Sequence, residues 1–425
     1  MMGNSDDPGI VIVGGGICGL ATALALRRKG LNSIVLEGSS SLRATGGGIG
    51  IFSNGWRVFD ELGIGTELRR KATLLSMMRD RILSTGAQRE TVCGKDEVRC
   101  LKRSDLMEAL ANGLPHGSIR FGCQVVAIAE DSMTSLPIVY LHDGSIINAK
   151  VLIGCDGVNS VVAKSLGMKK PTPSNLWTIR GFTNYPDGHS YGSVFTRLVG
   201  GNVTFGLLPI DDNLMHWFIS FQLRSDDAKI EDSERLRDWA MELLEGFPAD
   251  ACLMVKDSDL SSLSLTHIRY RAPWDLLFSN TCRGTTAVAG DAMHVMGPFI
   301  GQGGSCGLED TIVLARNLSV ALNEAPETEL SDDLLRNRVS AALDNYVKER
   351  KLRVLRLSTQ TYLVGLMIYN PSNIIKFLVF RLLVAFFGGM SFDHARNTAN
   401  RATGDDLEHL SLRTGEGSRA IDPLQ

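Results

Sequence analysis

The stretch that most constrains this chain runs from Ile10 to Glu37, IVIVGGGICGLATALALRRKGLNSIVLE. An apolar run, Ile10 to Val13, enters a turn of Gly14, Gly15, Gly16, Ile17, Cys18 and Gly19. Leu20, Ala23, Leu24 and Leu26 then recur at helical spacing. The pattern predicts strand, tight glycine turn and helix. Gly14 makes the turn, Gly16 lets a pyrophosphate approach the backbone, and Gly19 lets the helix lie close to the strand. Phosphates are expected at the helix N-terminus, where free N–H groups and the dipole favour anions. A second apolar run, Ser33 to Leu36, ends in Glu37, an acid that can accept hydrogen bonds from a ribose diol. Glycines at this spacing also serve turns for steric reasons alone, and the flanking strands and Glu37 separate the two readings.

Composition excludes several classes. With a net charge of −3 and no lysine or arginine run, there is no electrostatic footprint for nucleic acid. The eight cysteines form no CxxC pair and no histidine stands at ligand spacing, so neither a metal site nor a disulfide framework is expected. They read as reduced cysteines of a cytoplasmic protein. Nine residues precede the first strand, without the order of a signal peptide. At 44% hydrophobic and 21% charged, 425 residues suffice for two or three packed units.

After Glu37, Gly46, Gly47, Gly48, Ile49 and Gly50 let backbone pass close to something flat, or form a loop; a helical pattern follows from Trp56 to Leu68. Leu101 to Leu114 predicts a helix capped near Ser104, with Arg103 at its entry. Asp143-Gly144 signals a hairpin, and VLIGCDG predicts a buried strand ending at Asp156-Gly157. From Leu176 to Gln222 the period changes to that of strands, as in a separate, largely antiparallel sheet. Its alternating residues, among them Phe195, Arg197, Phe205, Leu207 and Trp217, are candidates for a substrate wall or for core beneath the sheet. Arg180 and Arg197 are candidates to anchor a substrate oxygen. Asp232 to Leu244 predicts an amphipathic helix. The strand Thr286 to Ala289 runs into Gly290-Asp291, and Gly301-Gln302-Gly303-Gly304 opens another helix whose N–H groups suit a carbonyl or anionic ring. His294 reads as a turn residue or a proton relay. The final part is helical: Asp333 to Gly365 is charged, and Ile374 to Phe387 is apolar but broken by Lys376 and Arg381, too short to span a membrane. It is expected to pack internally or to touch a subunit, with peripheral membrane contact as the alternative.

Taken together, Gly14, Gly16, Gly19 and Glu37, then Asp156-Gly157, then Gly290-Asp291 with Pro298 and Gly301-Gln302-Gly303, resemble the three fingerprints of single-component FAD-dependent monooxygenases. These are the aromatic hydroxylases related to para-hydroxybenzoate and salicylate hydroxylases, and the resemblance is greatest to a plant branch similar to zeaxanthin epoxidase. It covers residues 8 to 360. It implies that Glu37 binds the adenosine ribose, Arg103 reaches the ribityl or phosphate region, and Val125 holds adenine through its backbone. It further implies that Asp156-Gly157 lies at the pyrophosphate side, that Asp291 binds ribityl hydroxyls, and that Pro298 and Gly301 face the ring from one side with Gly48 and Ile49 on the other. One departure stands out: the family's second fingerprint usually ends in arginine where this chain has Ala163, which weakens nicotinamide contacts there.

The implied fold is α/β, a Rossmann-like FAD-binding domain (8–75, 101–170 and 284–330) with an inserted, mainly antiparallel β-sheet substrate domain (76–100 and 171–283). A C-terminal helical region (331–400) and a disordered tail (401–425) complete it. The implied chemistry uses NAD(P)H and O2 to insert one oxygen atom into an apolar, aromatic or unsaturated small metabolite through a flavin C4a-hydroperoxide. No side-chain acid or base is required, and Pro298 and His294 are the candidates nearest the ring. A flavin oxidase without oxygen insertion and a non-catalytic FAD-binding protein are the competing readings; the WxWxIP pattern of flavin halogenases is missing. Monomer and homodimer stay open.

Overall fold

Four parallel strand ends, brought side by side from distant parts of the chain, set the frame of the molecule. The computed structural model describes residues 9–42, 47–94, 96–223, 230, 232–323, 332–369 and 373–387. The expectations for Gly46 and for everything after residue 387, including the tail, lie outside these residues.

The central sheet has six strands in the order Cys282–Arg283, Thr286–Val288, Val151–Gly154, Ile10–Val13, Ile34–Leu36 and Ile119–Arg120. All neighbours are parallel except the first pair. Ile10–Val13 and Val151–Gly154 are buried at every position. Continuous apolar runs are what a sheet covered on both faces demands. Each such Val or Ile contributes about 1.5–3 kcal/mol by leaving water. Helix Ile17–Arg28 covers one face and packs against the 21-residue helix Gly303–Asn323. The other face buries Val11, Val13 and Leu152 against the short helix Val161–Ser165 and the hairpin strands.

A second sheet has seven strands in the order Ser264–Tyr270, Thr172–Asn184, Leu214–Gln222, Val203–Pro209, Val194–Gly200, Met77–Ile82 and Gln88–Val92. Its pairings are antiparallel apart from Val194–Gly200 with Met77–Ile82. One face is packed under helices Ser233–Leu243 and Ala249–Lys256; the other looks toward the central unit.

Local structure differs from expectation in three places. The helical stretch after Trp56 is two helices, Ser53–Glu61 and Gly65–Arg70, broken at Gly63, whose φ is +72°. The segment from Leu101 opens as strand Arg99–Lys102, and helix Arg103–Asn112 then begins without a side-chain cap, so Ser104 sits in its first turn rather than capping it. Asp232, by contrast, does cap its helix, accepting from the N–H groups of Glu234 and Arg235. Near the C-terminus the long helix is Asp332–Tyr369, and Asn373–Phe387 folds back on it.

Candidate cofactor and substrate site

Four neighbouring strands end on one edge of the central sheet. Reading across, these ends deliver Asp291, Asp156, the Gly14 turn and Glu37. At about 4.8 Å per strand they span roughly 15 Å. Ligands of open α/β sheets bind at this carboxyl edge.

The glycines earn their positions by sterics. Gly14 has φ +101°, and a Cβ there would lie 2.5 Å from the Cys155 carbonyl oxygen. On Gly19 a Cβ would collide with the carbonyl of Gly14. Gly16 has nothing within 4 Å of a built Cβ, which leaves the helix N-terminus open to a ligand. Glu37 braces the turn: its carboxylate accepts from Gly15 N–H at 2.7 Å and Ser39 N–H at 2.9 Å. Ile17 points into the core and Cys18 packs its sulfur against the Gly307 carbonyl, so only their amides face the turn. The backbone beside Val125 reaches the same corner, since Cys123 N–H donates to the Glu37 carbonyl at 2.9 Å.

Asp156 uses one carboxylate oxygen to accept from Val161 N–H at 2.7 Å, while its Oδ1 is buried without a partner. Burial pushes its carboxyl up. Gly157 is left-handed, with φ +75°. Ala163, where the resemblance leads one to expect arginine, is buried in helix Val161–Ser165. Gly290, with φ +62°, lets Cys18 approach, and the exposed Asp291 carboxylate has no partner among the described residues.

Beyond Asp291, exposed Pro298 opens a short 3-10 turn ending in left-handed Gly301, which is pressed against Phe52. Gly304, the second residue of the next helix, would touch Ile49 at 3.2 Å if it carried a Cβ. Gly48–Ile51 therefore runs beside the start of that helix. Across from it, a Cβ on Gly48 would meet His216 at 2.9 Å, and one on Gly47 would meet the Arg180 stem at 3.2 Å. Exposed Arg103 donates its backbone N–H to the Gly47 carbonyl and lies near enough for its charge to act on Arg180. Burial, and to a lesser degree Arg103, lowers the Arg180 pKa, and its Nε–H has no partner. His216 donates through Nδ1 to the Gly181 carbonyl at 3.0 Å, since a carbonyl can only accept. Burial, with Arg180 adding to it, holds this imidazole down at about 3, so it is neutral.

Several expected site residues lie elsewhere. Phe205, Leu207 and Trp217 face the opposite side of the seven-stranded sheet, in the core beneath the two covering helices. Arg197 shares the site's face, but its guanidinium is held by Asp80, directly across the parallel pair, at 2.6 and 2.9 Å. Phe195 and Arg180 remain on the open face. With them stand residues that sequence reasoning passed over: Phe182, Leu208, His216 and Phe218. Their signal was parity, since Met215, Trp217, Ile219 and Phe221 are the buried alternates of the same strand.

His294 is neither a turn residue nor a free relay. It is fully buried, 2.6 Å from Asp310, whose other oxygen takes Arg350 at 2.7 Å. Glu309 beside it binds Arg350, Arg353 and Asn54, and Asn54 also reaches Gln302 at 3.0 Å. Gln302 thus turns its side-chain carbonyl inward. Burial opposes a proton on His294, but Cys306 and Asp310 outweigh it and raise its pKa. His294, Cys306 and Asp310 could offer three ligand atoms to a metal ion, but the Arg350 guanidinium already lies against the carboxylate and the sulfur.

The match that decides the assignment extends over most of the chain: the sequence profile of the FAD binding domain family covers residues 8–360. The chain belongs to this FAD-binding family. Its cofactor is FAD, and it is an enzyme of the flavin-dependent monooxygenase type. Monooxygenase 1 of Arabidopsis thaliana is 44% identical over 401 residues, covering 93% of this chain and 100% of the relative. Monooxygenase 2 of the same plant is 38% identical, covering 86% of this chain and 90% of its own length. The fold of the family member is shared by HpxO of Klebsiella pneumoniae, solved with FAD and uric acid. That structure superposes with a TM-score of 0.74 at 22% identity over 88% of this chain and 92% of HpxO. An open Gly16, an unpartnered Asp156 oxygen and a free Asp291 carboxylate fit an extended dinucleotide along this edge.

Proposed function

We propose that this enzyme uses NAD(P)H and O2 to insert one oxygen atom into an apolar small molecule with an aromatic or unsaturated centre. The observation that carries the reading is the meeting of two features. The sheet edge from Glu37 to Asp291 leads to the place where Gly48–Ile51 lies against the open face of the seven-stranded sheet, with His216 and Arg180 beside it. Bound FAD supplies oxygen activation once a nicotinamide has reduced it.

The chain's own residues do the rest. The amides after Gly14 receive the pyrophosphate, Glu37 the adenosine ribose and Asp291 the ribityl hydroxyls, with Val125 and Gly157 flanking and Arg103 near the phosphates. Pro298, Gly301 and Gly303 approach the ring, and the N-terminus of helix Gly303–Asn323 stabilises negative charge developing there. Phe182, Phe195, Leu208 and Phe218 exclude water and orient an apolar substrate. Arg180 offers its unpartnered Nε–H to a substrate oxygen. Neutral His216 holds its free Nε2 as a hydrogen-bond acceptor, not as an acid.

Purified protein should be yellow and should consume NAD(P)H faster when a substrate is added in air, with a product heavier by one oxygen in mass analysis. Peroxide formed in place of that product would make it an oxidase, and a flavin spectrum without any stimulated turnover would leave only a binding protein.

A further inference from the structure

A cavity of about 350 Å³ lies behind the loop that carries Pro298. Met296, Gly297 and Phe299 form one wall, and Tyr270, Tyr362 and Tyr369 give it an aromatic rim. Two exposed apolar patches border the same end of helix Asp332–Tyr369. On one side, helix Pro273–Phe278 presents Trp274, Leu277 and Phe278, the last 82% exposed, and Trp274 meets the Tyr362 ring edge-on at 5.3 Å. On the other, helix Asn373–Phe387 buries Val379 and Leu383 with Val364, in the cluster that also holds Phe299 and Leu366. Its remaining surface shows Ile374, Phe377, Leu378, Phe380 and Leu382, with Ile374 74% and Phe377 61% exposed.

We propose that these two patches form one surface that lies on an anionic lipid bilayer, so that the aromatic-rimmed cavity takes its apolar substrate directly from the membrane. This rests on the monooxygenase reading above and names its substrate class: a bilayer-dissolved molecule, not a water-soluble one.

Three observations select lipid over a second copy of this chain. Asn373–Phe387 carries Lys376 and Arg381 and no acid. Arg381 is exposed and stands on the outward face, near Phe377 and Ile374 in helical projection. Against the same helix of a second copy it would meet only Lys376 and Arg381, like charges and no acid; at a bilayer it reaches lipid phosphates while its stem stays among apolar groups. The second observation is length. At 1.5 Å per residue the helix extends roughly 22 Å, short of the ~30 Å hydrocarbon core, so it fits lying in the interface and not crossing it. No described helix is long and apolar enough to cross a membrane. The third is the three tyrosines that line the cavity, with exposed Trp274 packed against one of them, residue types that settle at headgroup depth.

The test is sedimentation of the full-length, flavin-loaded chain with vesicles of phosphatidylcholine plus phosphatidylserine. The expected result is binding that weakens in vesicles of phosphatidylcholine alone and falls more than about tenfold in Phe377→Asp/Leu378→Asp. Arg381→Glu serves as a second, milder variant should the first lose its fold. Brominated lipid should quench tryptophan emission in the wild type and much less in Trp274→Phe, because Trp56, Trp177 and Trp217 are buried and half-buried Trp239 packs against Phe221 under the helix-covered face of the seven-stranded sheet. Yellow protein that ignores both vesicle types, or that loses self-association instead of lipid binding in the variants, overturns the proposal and leaves the monooxygenase reading intact. Colourless protein that still binds vesicles would overturn that reading instead.

Discussion

At the scale of single residues, Gly16 and Gly19 make opposite demands and should fail in different ways. A methyl on Gly19 strikes the Gly14 carbonyl inside the protein. Gly19→Ala should therefore lower the urea midpoint of the flavin-free chain, by about 1–3 kcal/mol of overpacking. Gly16 has ordinary backbone angles and open space around it. Gly16→Ala should leave that midpoint nearly unchanged while reducing flavin retention on a desalting column. On the proposed placement, Asp291→Ala removes charged hydrogen bonds to the cofactor worth about 1.5–3 kcal/mol. Flavin should dissociate roughly ten to a hundred times more readily, as read by its fluorescence. Gly14 and Gly19 were legible in the sequence because each answers a local steric demand and leaves a fixed spacing. Arg197 was not, because its partner Asp80 lies 117 positions away.

At the scale of elements, strand alternation announced the seven-stranded sheet but not which of its faces is covered. That depends on helices Ser233–Leu243 and Ala249–Lys256, which follow the strands and bury Trp217 and its parity mates. The helical pair Gly303–Asn323 and Asp332–Tyr369 hid more. Glu309, Asp310 and Arg350 belong to no sequence motif, and only packing unites them. Arg350→Met strips two buried carboxylates of their shared partner and should cost about 3–5 kcal/mol in denaturant unfolding. The pH signs follow from the same burial. The raised His294 pKa adds stability that is full below 6.5 and is lost as pH rises through its folded value. Burial works against ionised Asp310, yet His294 and Arg350 hold it down at about 2, so its contribution persists until pH falls toward that value. His216 acts the other way: held at about 3 against an ordinary 6.5, it costs stability as pH falls through that interval. His216→Gln should flatten that part of the stability curve relative to the wild type.

At the scale of the whole molecule, the sheet edge proposed for the cofactor takes the Gly14 turn and Glu37 from the first strands and Asp291 from the last, with the seven-stranded sheet inserted between. Leu366→Trp should fill the cavity beside Phe299 and raise KM for the substrate while flavin content stays constant. The parallel neighbours of Ile10–Val13 are Ile34–Leu36 on one side and Val151–Gly154 on the other, and Thr286–Val288 completes the row. During synthesis, then, a ribosome must extrude nearly three hundred residues before the coenzyme has both ends of its berth. Until that moment the nascent chain holds an unfinished sheet with an open flank, and a message truncated before Thr286 should yield colourless polypeptide however much riboflavin the cell provides.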